Sequence, residues 1–404
     1  MPFEVPSSWV WTTVGDIAES NIGLTYKPSD ICDDGVPVYR SNNIQNRRID
    51  KTELVRVNAK ILDKQYLAVG DLLICARNGS RRLVGKCALI ENLSEPSAFG
   101  AFMAVCRSAY NPWIYLLLNT GYFNRYLDDS NSTAINQVTQ SMLLAFRVPF
   151  PPKKEQDRII YEISKWFDLI DTIEKSKEEM QVIISTTKSK ILDLAIHGKL
   201  VPQDPTDEPA SELLKRINPK AEIISDNGHY QKLPEGWCLT TLGSIGLWQS
   251  GATPSRLQKE YYGGNIPWLK TGDLNDGIII NIPEFITEKA LAETSVKLNP
   301  SGSVLIAMYG ATIGKVGILS FPATTNQACC ACVDYKLEQM YLFYFLLANR
   351  ENFIRMGGGG AQPNISKEKI INTVISLPPL KEQHRIVAKI EEIFAQLDAI
   401  EASL

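Results

Sequence analysis

The sequence predicts an α/β protein of the strand-rich α+β kind, built as two similar globular domains, each followed by a long helix. Three observations predict this. Motifs recur in the same order about 228 residues apart, as Trp9 against Trp237 shows. The stretches between them are short apolar runs broken by Gly, Asn and Pro, the signature of strands and turns. After each such stretch a proline pair opens a run whose apolar residues return in steps of three and four, the period of an amphipathic helix.

The repeat is dense. "WVWTTVGDIAES" from Trp9 matches "WCLTTLGSIGLW" from Trp237; "VPVYRSNNI" (36–44) matches "IPWLKTGDL" (266–274); "GDLLICARNG" (from 70) matches "GSVLIAMYGA" (from 302); and "VPFPPKKEQDRII" (from 148) matches "ISLPPLKEQHRIV" (from 375). The expected organisation is a first domain over 1–150, a long helix over 151–200, a linker over 201–232, a second domain over 233–377 and a second helix over 378–404. In the domains, "DLLICA", "KCALI", "SVLIAM" and "KVGIL" read as buried strands. "PWIYLLLNTGYFNRYL" and "EQMYLFYFLLANRENFIRM" read as helices.

Pro151-Pro152 and Pro378-Pro379 end a strand and fix a helix entry, where proline costs nothing. The first helix then carries Ile159, Ile163, Trp166, Ile170, Ile173, Met180, Ile184, Thr187, Ile191 and Leu194, broken only by Lys177. The second carries Ile386, Ile390, Ile393, Leu397, Ile400 and Leu404 in the same register. This is a/d heptad spacing, so the two stripes are expected to bury against each other as a coiled coil. From Glu155 to His197 the first helix would run about 65 Å at ~1.5 Å per residue. A rod of that size holding two related domains suits a DNA site in two parts, since one turn of B-DNA spans about 34 Å.

Bulk composition narrows the function classes. The chain has 404 residues, 44% of them apolar and 22% charged, as in an ordinary soluble globular protein. No apolar run is long enough to cross a bilayer, and "MPFEVPSSWVW" lacks the basic and apolar regions of a signal peptide, so a cytoplasmic location is expected. Of the eight cysteines, Cys329 and Cys332 form a C-x-x-C, but without a second pair or a helix start they read as buried strand residues. His197, His229 and His384 are too scattered to form a metal cluster.

Two Gly-Lys elements, "NGSRRLVGKCALI" (78–90) and "YGATIGKVGI" (309–318), suggest phosphate-binding loops at first sight. Gly79 and Gly85 enclose five residues, Gly310 and Gly314 enclose three, and Val316 stands where a P-loop needs Ser or Thr. A phosphate cradle tolerates no such variation; a hairpin tip does. Adenine methyltransferase chemistry is matched only partly by "NPWI" (111–114), which lacks the second proline and the aromatic, and Gly357–Gly360 is a glycine run rather than a dinucleotide turn. Net charge is only −3, yet from Val36 to Arg107 there are 12 Lys/Arg against 6 Asp/Glu, so any nucleic-acid contact is local.

At this point the chain resembles a known family, the specificity (HsdS) subunits of type I restriction-modification enzymes. The resemblance rests on "PEGW" (234–237) with its partner "PSSW" (6–9), on "PPKKEQDRI" and "PPLKEQHRI" each opening a long helix, on "ILDLAIHGKLVPQDPTDEPASELLKRI" leaving the first helix, and on "RSNNIQN" (40–46). It covers essentially the whole chain. It implies two target recognition domains separated by long antiparallel coiled-coil helices with pseudo-twofold symmetry, each domain reading one half of an asymmetric double-stranded DNA site of three bases, a gap and four bases. It implies a non-catalytic subunit that docks two modification (methyltransferase) subunits, with restriction subunits completing the enzyme. S-adenosylmethionine, ATP and Mg²⁺ would then serve those partners, and this chain would bind no cofactor and no metal.

Candidate DNA contacts follow from residue chemistry, Arg suiting guanine, Asn adenine and Lys phosphate. In the first domain they are Arg40, Asn42, Asn43, Arg77, Asn78, Ser80, Arg81, Arg82 and Lys86; in the second, Lys270, Thr271, Asp273, Tyr309, Thr312, Lys315, Gln362 and Asn364, the last two facing Asn136 and Gln137 in the repeat. The expected seam is Ile159, Ile163, Trp166, Ile170 and Ile173 with Ile386, Ile390, Ile393, Leu397 and Ile400. Because the second helix runs to Leu404 only, which corresponds to Lys177, an exposed seam around Ile184, Ile191 and Leu194 is expected, favouring self-association and weakening docking on one side. The competing reading is a truncated coiled-coil scaffold that binds a methyltransferase or another protein without reading DNA sequence.

Overall fold

The structure, a computed structural model, describes residues 3–130, 136–225, 233–358 and 363–404. The chain forms two compact units, Met1–Ile173 and Glu174–Leu404.

In the first unit an antiparallel sheet runs in the order Glu19–Ile22, Met103–Arg107, Leu72–Cys75, Cys87–Leu89. A second sheet pairs Ile31–Tyr39 antiparallel with Val55–Val57 and parallel with Ala98–Phe99. Leu72, Leu73, Ile74 and Cys75 are all buried because their strand lies between two cores. Leu72 and Ile74 face the helices Asn111–Leu118 and Gly121–Ser130, while Leu73 and Cys75 face Tyr39, Phe99 and Met103. Such a doubly covered strand loses the alternation of a half-exposed one and reads as a continuous apolar run. Val10–Thr13 pairs antiparallel with Arg147–Phe150, bringing both ends of the module together beside the helix start.

The second unit repeats the plan. Val304–Ala307 lies between Cys329–Tyr335 and Val316–Leu319, with Val304 and Ile306 in one core and Leu305 and Ala307 in another. Tyr262–Leu269 pairs parallel with Ala323–Thr325, as Ile31–Tyr39 does with Ala98–Phe99. Cys238–Thr241 and Val374–Leu377 close the module. Both Gly-Lys elements are exits from hairpin turns that contain a 3-10 turn, Arg81–Leu83 and Gly310–Thr312. Gly85 and Gly314 sit at φ +86° and +77°, and a Cβ on Gly314 would lie 2.9 Å from Arg350 Cγ. The glycine is there for the turn and the packing, not for a phosphate.

The proline-glutamine motif has a direct structural reason. Gln156 Nε2 donates to the Pro151 carbonyl at 2.8 Å, and Gln383 Nε2 to the Pro378 carbonyl at 2.9 Å. Both glutamines are buried, and each satisfies the carbonyl of the first proline in its pair. Gln383 also accepts from the Glu338 backbone N–H at 3.0 Å. The first helix, Lys153–Ile196, has 44 residues and so runs about 66 Å at ~1.5 Å per residue; the second, Leu380–Ser403, has 24.

Where the two helices meet, within the second unit, they run antiparallel. Ser376 Oγ donates to the Ile196 carbonyl at 3.1 Å, whereas Lys188 reaches Asp398 at 2.6 Å and Glu401 at 3.2 Å, at the other end of the partner helix. Ile191, Leu192 and Ala195 share one core with Ile386, Val387 and Ile390, and Ile393, Phe394 and Leu397 pack against it.

This geometry corrects the expected seam. Ile184 is only 3% exposed and Ile191 is buried, so the exposed stretch is not around Ile184, Ile191 and Leu194. The antiparallel course lays the shorter helix along the C-terminal part of the longer one, covering those residues. Trp166 is 63% exposed, and Ile170, Ile173 and Ile400 are exposed as well. Ile159 and Ile163, with Phe167, instead line a groove of the first unit opposite Trp113, Tyr115 and Leu116. There Arg47 lies over the Phe167 ring at 5.2 Å and Arg48 pairs with Asp171.

The stretch read as a linker is partly structure. Ala210, Leu213 and Leu214 of the helix Ala210–Ile217 are buried in the second unit's core. Gln203 donates to Glu382 at 3.2 Å, and Asp207, itself buried, pairs with Arg385 at 2.7 Å. Burial pushes the Glu382 carboxyl above the usual carboxylate range, against the pull of Gln203 and Arg385.

Candidate nucleic-acid interface

In the first unit four chain segments converge at one edge. The Gly100 N–H donates to the Tyr39 carbonyl at 2.9 Å; Ala76 and Arg77 both donate to the Phe102 carbonyl, at 2.9 and 3.0 Å; and the Val138 N–H donates to the Ala76 carbonyl at 2.7 Å. Asn78 Nδ2 donates to Ser41 Oγ at 3.2 Å, and Asn136 Nδ2 to the Gly79 carbonyl at 3.2 Å. Arg77 and Gln137 face each other as a β-bridge. The edge is thus assembled from residues 39–44, 76–86, 100–103 and 136–138.

The second unit builds the same edge from the same hydrogen bonds. Asn326 donates to the Leu269 carbonyl at 2.9 Å, Met308 to that of Ala328 at 2.8 Å, and Ile365 to that of Met308 at 2.9 Å. Tyr309 and Asn364 form the matching bridge. Tyr309 therefore occupies the place of Arg77, and Ala328 that of Phe102.

Several candidate contacts prove to be structural. Asn43 is 1% exposed: its Oδ1 accepts from the Arg40 backbone N–H at 2.9 Å, and its Nδ2 donates to the Asp50 and Glu53 carbonyls, each at 3.1 Å. Asp273 does the same work in the second unit, accepting from the Lys270 backbone N–H at 2.8 Å. Both residues hold a 3-10 turn; Asn43, buried with its amide fully bonded, has no free edge to offer a base, whereas Asp273 is partly exposed. Lys86 is half-buried, donates to the Ile44 carbonyl at 2.8 Å, and has its pKa lowered by burial. Lys270 is committed to Glu284, which Arg256 also holds at 3.0 Å. The lysine bond, then burial acting the other way, then the arginine bond set the balance that keeps Glu284 below its ordinary pKa.

The remaining candidates divide by exposure. Asn78 accepts from the Ser80 N–H at 3.0 Å and so braces the turn, while Arg81 pairs with Asp128 at 2.5 Å. Thr312 donates to the Tyr309 carbonyl at 2.8 Å. Asn42, Ser80, Arg82 and Asn364 are exposed, and Arg40, Thr271 and Lys315 are partly so. Gln362 lies outside the described residues.

Sequence reasoning missed Phe102, an exposed ring beneath the Arg77 guanidinium, 5.6 Å from the ring centroid. Its only trace in the sequence is a phenylalanine two residues after Gly100 in an otherwise apolar run.

Buried thiols complete the inventory. All eight cysteines are free. Burial pushes Cys87, Cys106 and Cys330 up to about 12 and Cys238 to about 11, and raises Cys329 and Cys332 as well. The C-x-x-C pair is thus inert strand packing. Among the described residues no group of His, Cys, Asp and Glu is placed to hold a metal ion, and no helix is long and apolar enough to cross a membrane.

Comparison with known proteins places this duplicated architecture. The specificity subunit of the type I restriction enzyme EcoKI from Escherichia coli (strain K12) is 25% identical over 421 aligned residues, covering 98% of this chain and 84% of that protein. The EcoAI specificity subunit of Escherichia coli is 26% identical over 483 residues, covering 97% and 78%. Among solved structures, a chain of a type I R-M system superposes with a TM-score of 0.69 at 19% identity, covering 100% of this chain and 94% of its own. The HsdS subunit from Thermoanaerobacter tengcongensis superposes with a TM-score of 0.57 at 19% identity, covering 100% and 93%. These two share the fold. The profile of the type I restriction modification DNA specificity domain matches twice, over residues 6–182 and 234–404, once on each copy of the repeat. With two such domains, each ending in its own long helix, the chain belongs to the type I restriction-modification specificity subunits.

Proposed function

We propose that this chain is the DNA-reading subunit of a type I restriction-modification complex and carries no chemistry of its own. Each module reads one half of a split, asymmetric duplex site, and the long helices set the distance between the halves and dock two modification subunits. Restriction subunits complete the complex, S-adenosylmethionine, ATP and Mg²⁺ act on those partners, and the complex works in the cytoplasm.

One observation carries the reading: in both modules matching backbone hydrogen bonds gather four corresponding segments into an edge, which bears arginine, asparagine and serine side chains in the first module and lysine, threonine, tyrosine and asparagine side chains in the second. Side chains of this kind bind phosphates and read base edges. Two such edges in one chain fit a site with two half-sequences.

The test is methylome sequencing of a host that expresses the chain together with its modification subunit. One bipartite motif is expected, with methylation lost when the chain is omitted. Methylation without sequence preference would instead support a scaffold, and no methylation at all would overturn the reading.

A further inference from the structure

Phe102 is 62% exposed, while its neighbours Phe99 and Met103 are fully buried. It sits in a turn closed by the Met103 N–H on the Gly100 carbonyl at 2.8 Å, and the N–H groups of Ala76 and Arg77 hold its own carbonyl. The ring is therefore presented to solvent on a rigid support. Packing does not require it, because the matching residue of the second module is Ala328, buried and small. The Arg77 guanidinium lies over this ring at 5.6 Å, an arrangement that restricts its otherwise free rotamers. Beside it, Arg40 packs across Gly100, its Cγ 3.7 Å from where a Cβ there would stand, and Arg40 Nε is buried with no hydrogen-bond partner among the described residues.

We propose that Arg77 and Phe102 are the base-reading pair of the first module. This inference rests on the DNA-reading function proposed above and gives it a chemistry. The guanidinium, held over the ring, donates to the O6 and N7 edge of a guanine in the major groove, the pairing that its planar fork favours. The ring edge packs on the 5-methyl group of a thymine at the neighbouring step, the apolar mark of that groove. The second module, with Tyr309 and Ala328 at these places, reads its half-site by different contacts.

The experiment uses the assembled complex of this chain with its modification subunits. Wild type is compared with Arg77→Ala, Arg77→Lys, Phe102→Ala and Phe102→Leu by methylome sequencing and by competition binding on the cognate duplex. Arg77→Ala is expected to lower discrimination at one G·C pair of the first half-site about ten- to hundredfold, with Arg77→Lys failing to restore it. Phe102→Ala is expected to relax the adjacent pair and leave the second half-site as sharp as before. Replacing the thymine there by uracil, which removes only the methyl group, is expected to weaken wild-type binding and to have no effect on the Phe102→Ala chain. Equal weakening on every sequence, with a shallower salt dependence, would make Arg77 a phosphate contact and overturn the proposal. So would an unchanged motif in both alanine variants. Should either alanine variant fold poorly, Phe102→Leu and Arg77→Lys carry the same comparison. A wild-type complex with no motif at all would sink the function itself, an outcome distinct from a wild-type motif that the variants leave untouched.

Discussion

At the residue scale, the paired glutamines show how a motif that looks functional can be structural. Gln383 satisfies two backbone groups, the Pro378 carbonyl and the Glu338 N–H, while Gln156 satisfies the Pro151 carbonyl. Gln383→Leu keeps the volume and strands both backbone groups in a buried site, so a loss of about 1–3 kcal/mol is expected, with a smaller loss for Gln156→Leu. Urea midpoints of the two variants, compared with wild type, check the order. Cysteine reactivity gives a second residue-scale test. Cys32 is half-buried and the other seven thiols are buried. A thiol reagent at pH 8 is expected to modify Cys32 in the native chain and the others only after denaturant is added. Rapid labelling of Cys329 or Cys332 in the native chain would revive the redox reading that their spacing suggested.

At the element scale, the long helix serves different neighbours along its length, and this is where the sequence was least informative. Heptad spacing announces a stripe but not what covers each part of it. Ile159 and Trp166 share that stripe with Ile191, yet Ile159 lines a groove of its own module, Trp166 faces solvent, and Ile191 packs on the second helix. The choice depends on chain direction, which a pattern of period 3.5 does not encode. Ile390→Ala, in the paired part, is expected to cost about 2–5 kcal/mol, whereas Ile170→Ala, in the exposed part, is expected to fall within about 0.5 kcal/mol of wild type. Chemical denaturation of the two variants decides between this arrangement and a seam used along its whole length. Lys188→Glu, which would set like charges against Asp398 and Glu401, is expected to destabilise the chain, and the added changes Asp398→Lys and Glu401→Lys to restore it.

At the scale of the whole molecule, the duplication was legible because strands, turns and proline entries leave local signatures that survive divergence. The interface was legible only in part. Arg40, Arg77, Arg82 and Lys315 could be named from residue type, but nothing in residue type distinguishes a lysine facing DNA from one holding the Ile44 carbonyl, as Lys86 does. Nor does it reveal that the two modules, alike in backbone, differ in free charge. In the first, Arg82 is exposed with no ion-pair partner among the described residues, while Arg81 is held by Asp128. In the second, Lys270 is neutralised by Glu284, whose lowered pKa keeps it ionised even as pH falls to its ordinary value of 4.5; that pairing fades only as pH falls through the lowered value. DNA affinity should therefore draw its salt dependence mainly from the first module. Each phosphate neutralised contributes a slope of about −0.9 in log K against log salt. The double variant Arg81→Ala, Arg82→Ala is expected to flatten the slope by about one rather than two, since Arg81 is already paired, and Lys270→Ala to leave it nearly unchanged. Glu284→Gln frees Lys270, and Arg256 with it, and is expected to steepen the slope by up to about two. Fluorescence anisotropy of the assembled complex on a labelled cognate duplex, from about 50 to 200 mM salt, provides the measurement. A Lys270→Ala effect as large as that of the arginine pair would mean that both modules grip the backbone equally and that Glu284 yields its lysine when DNA arrives.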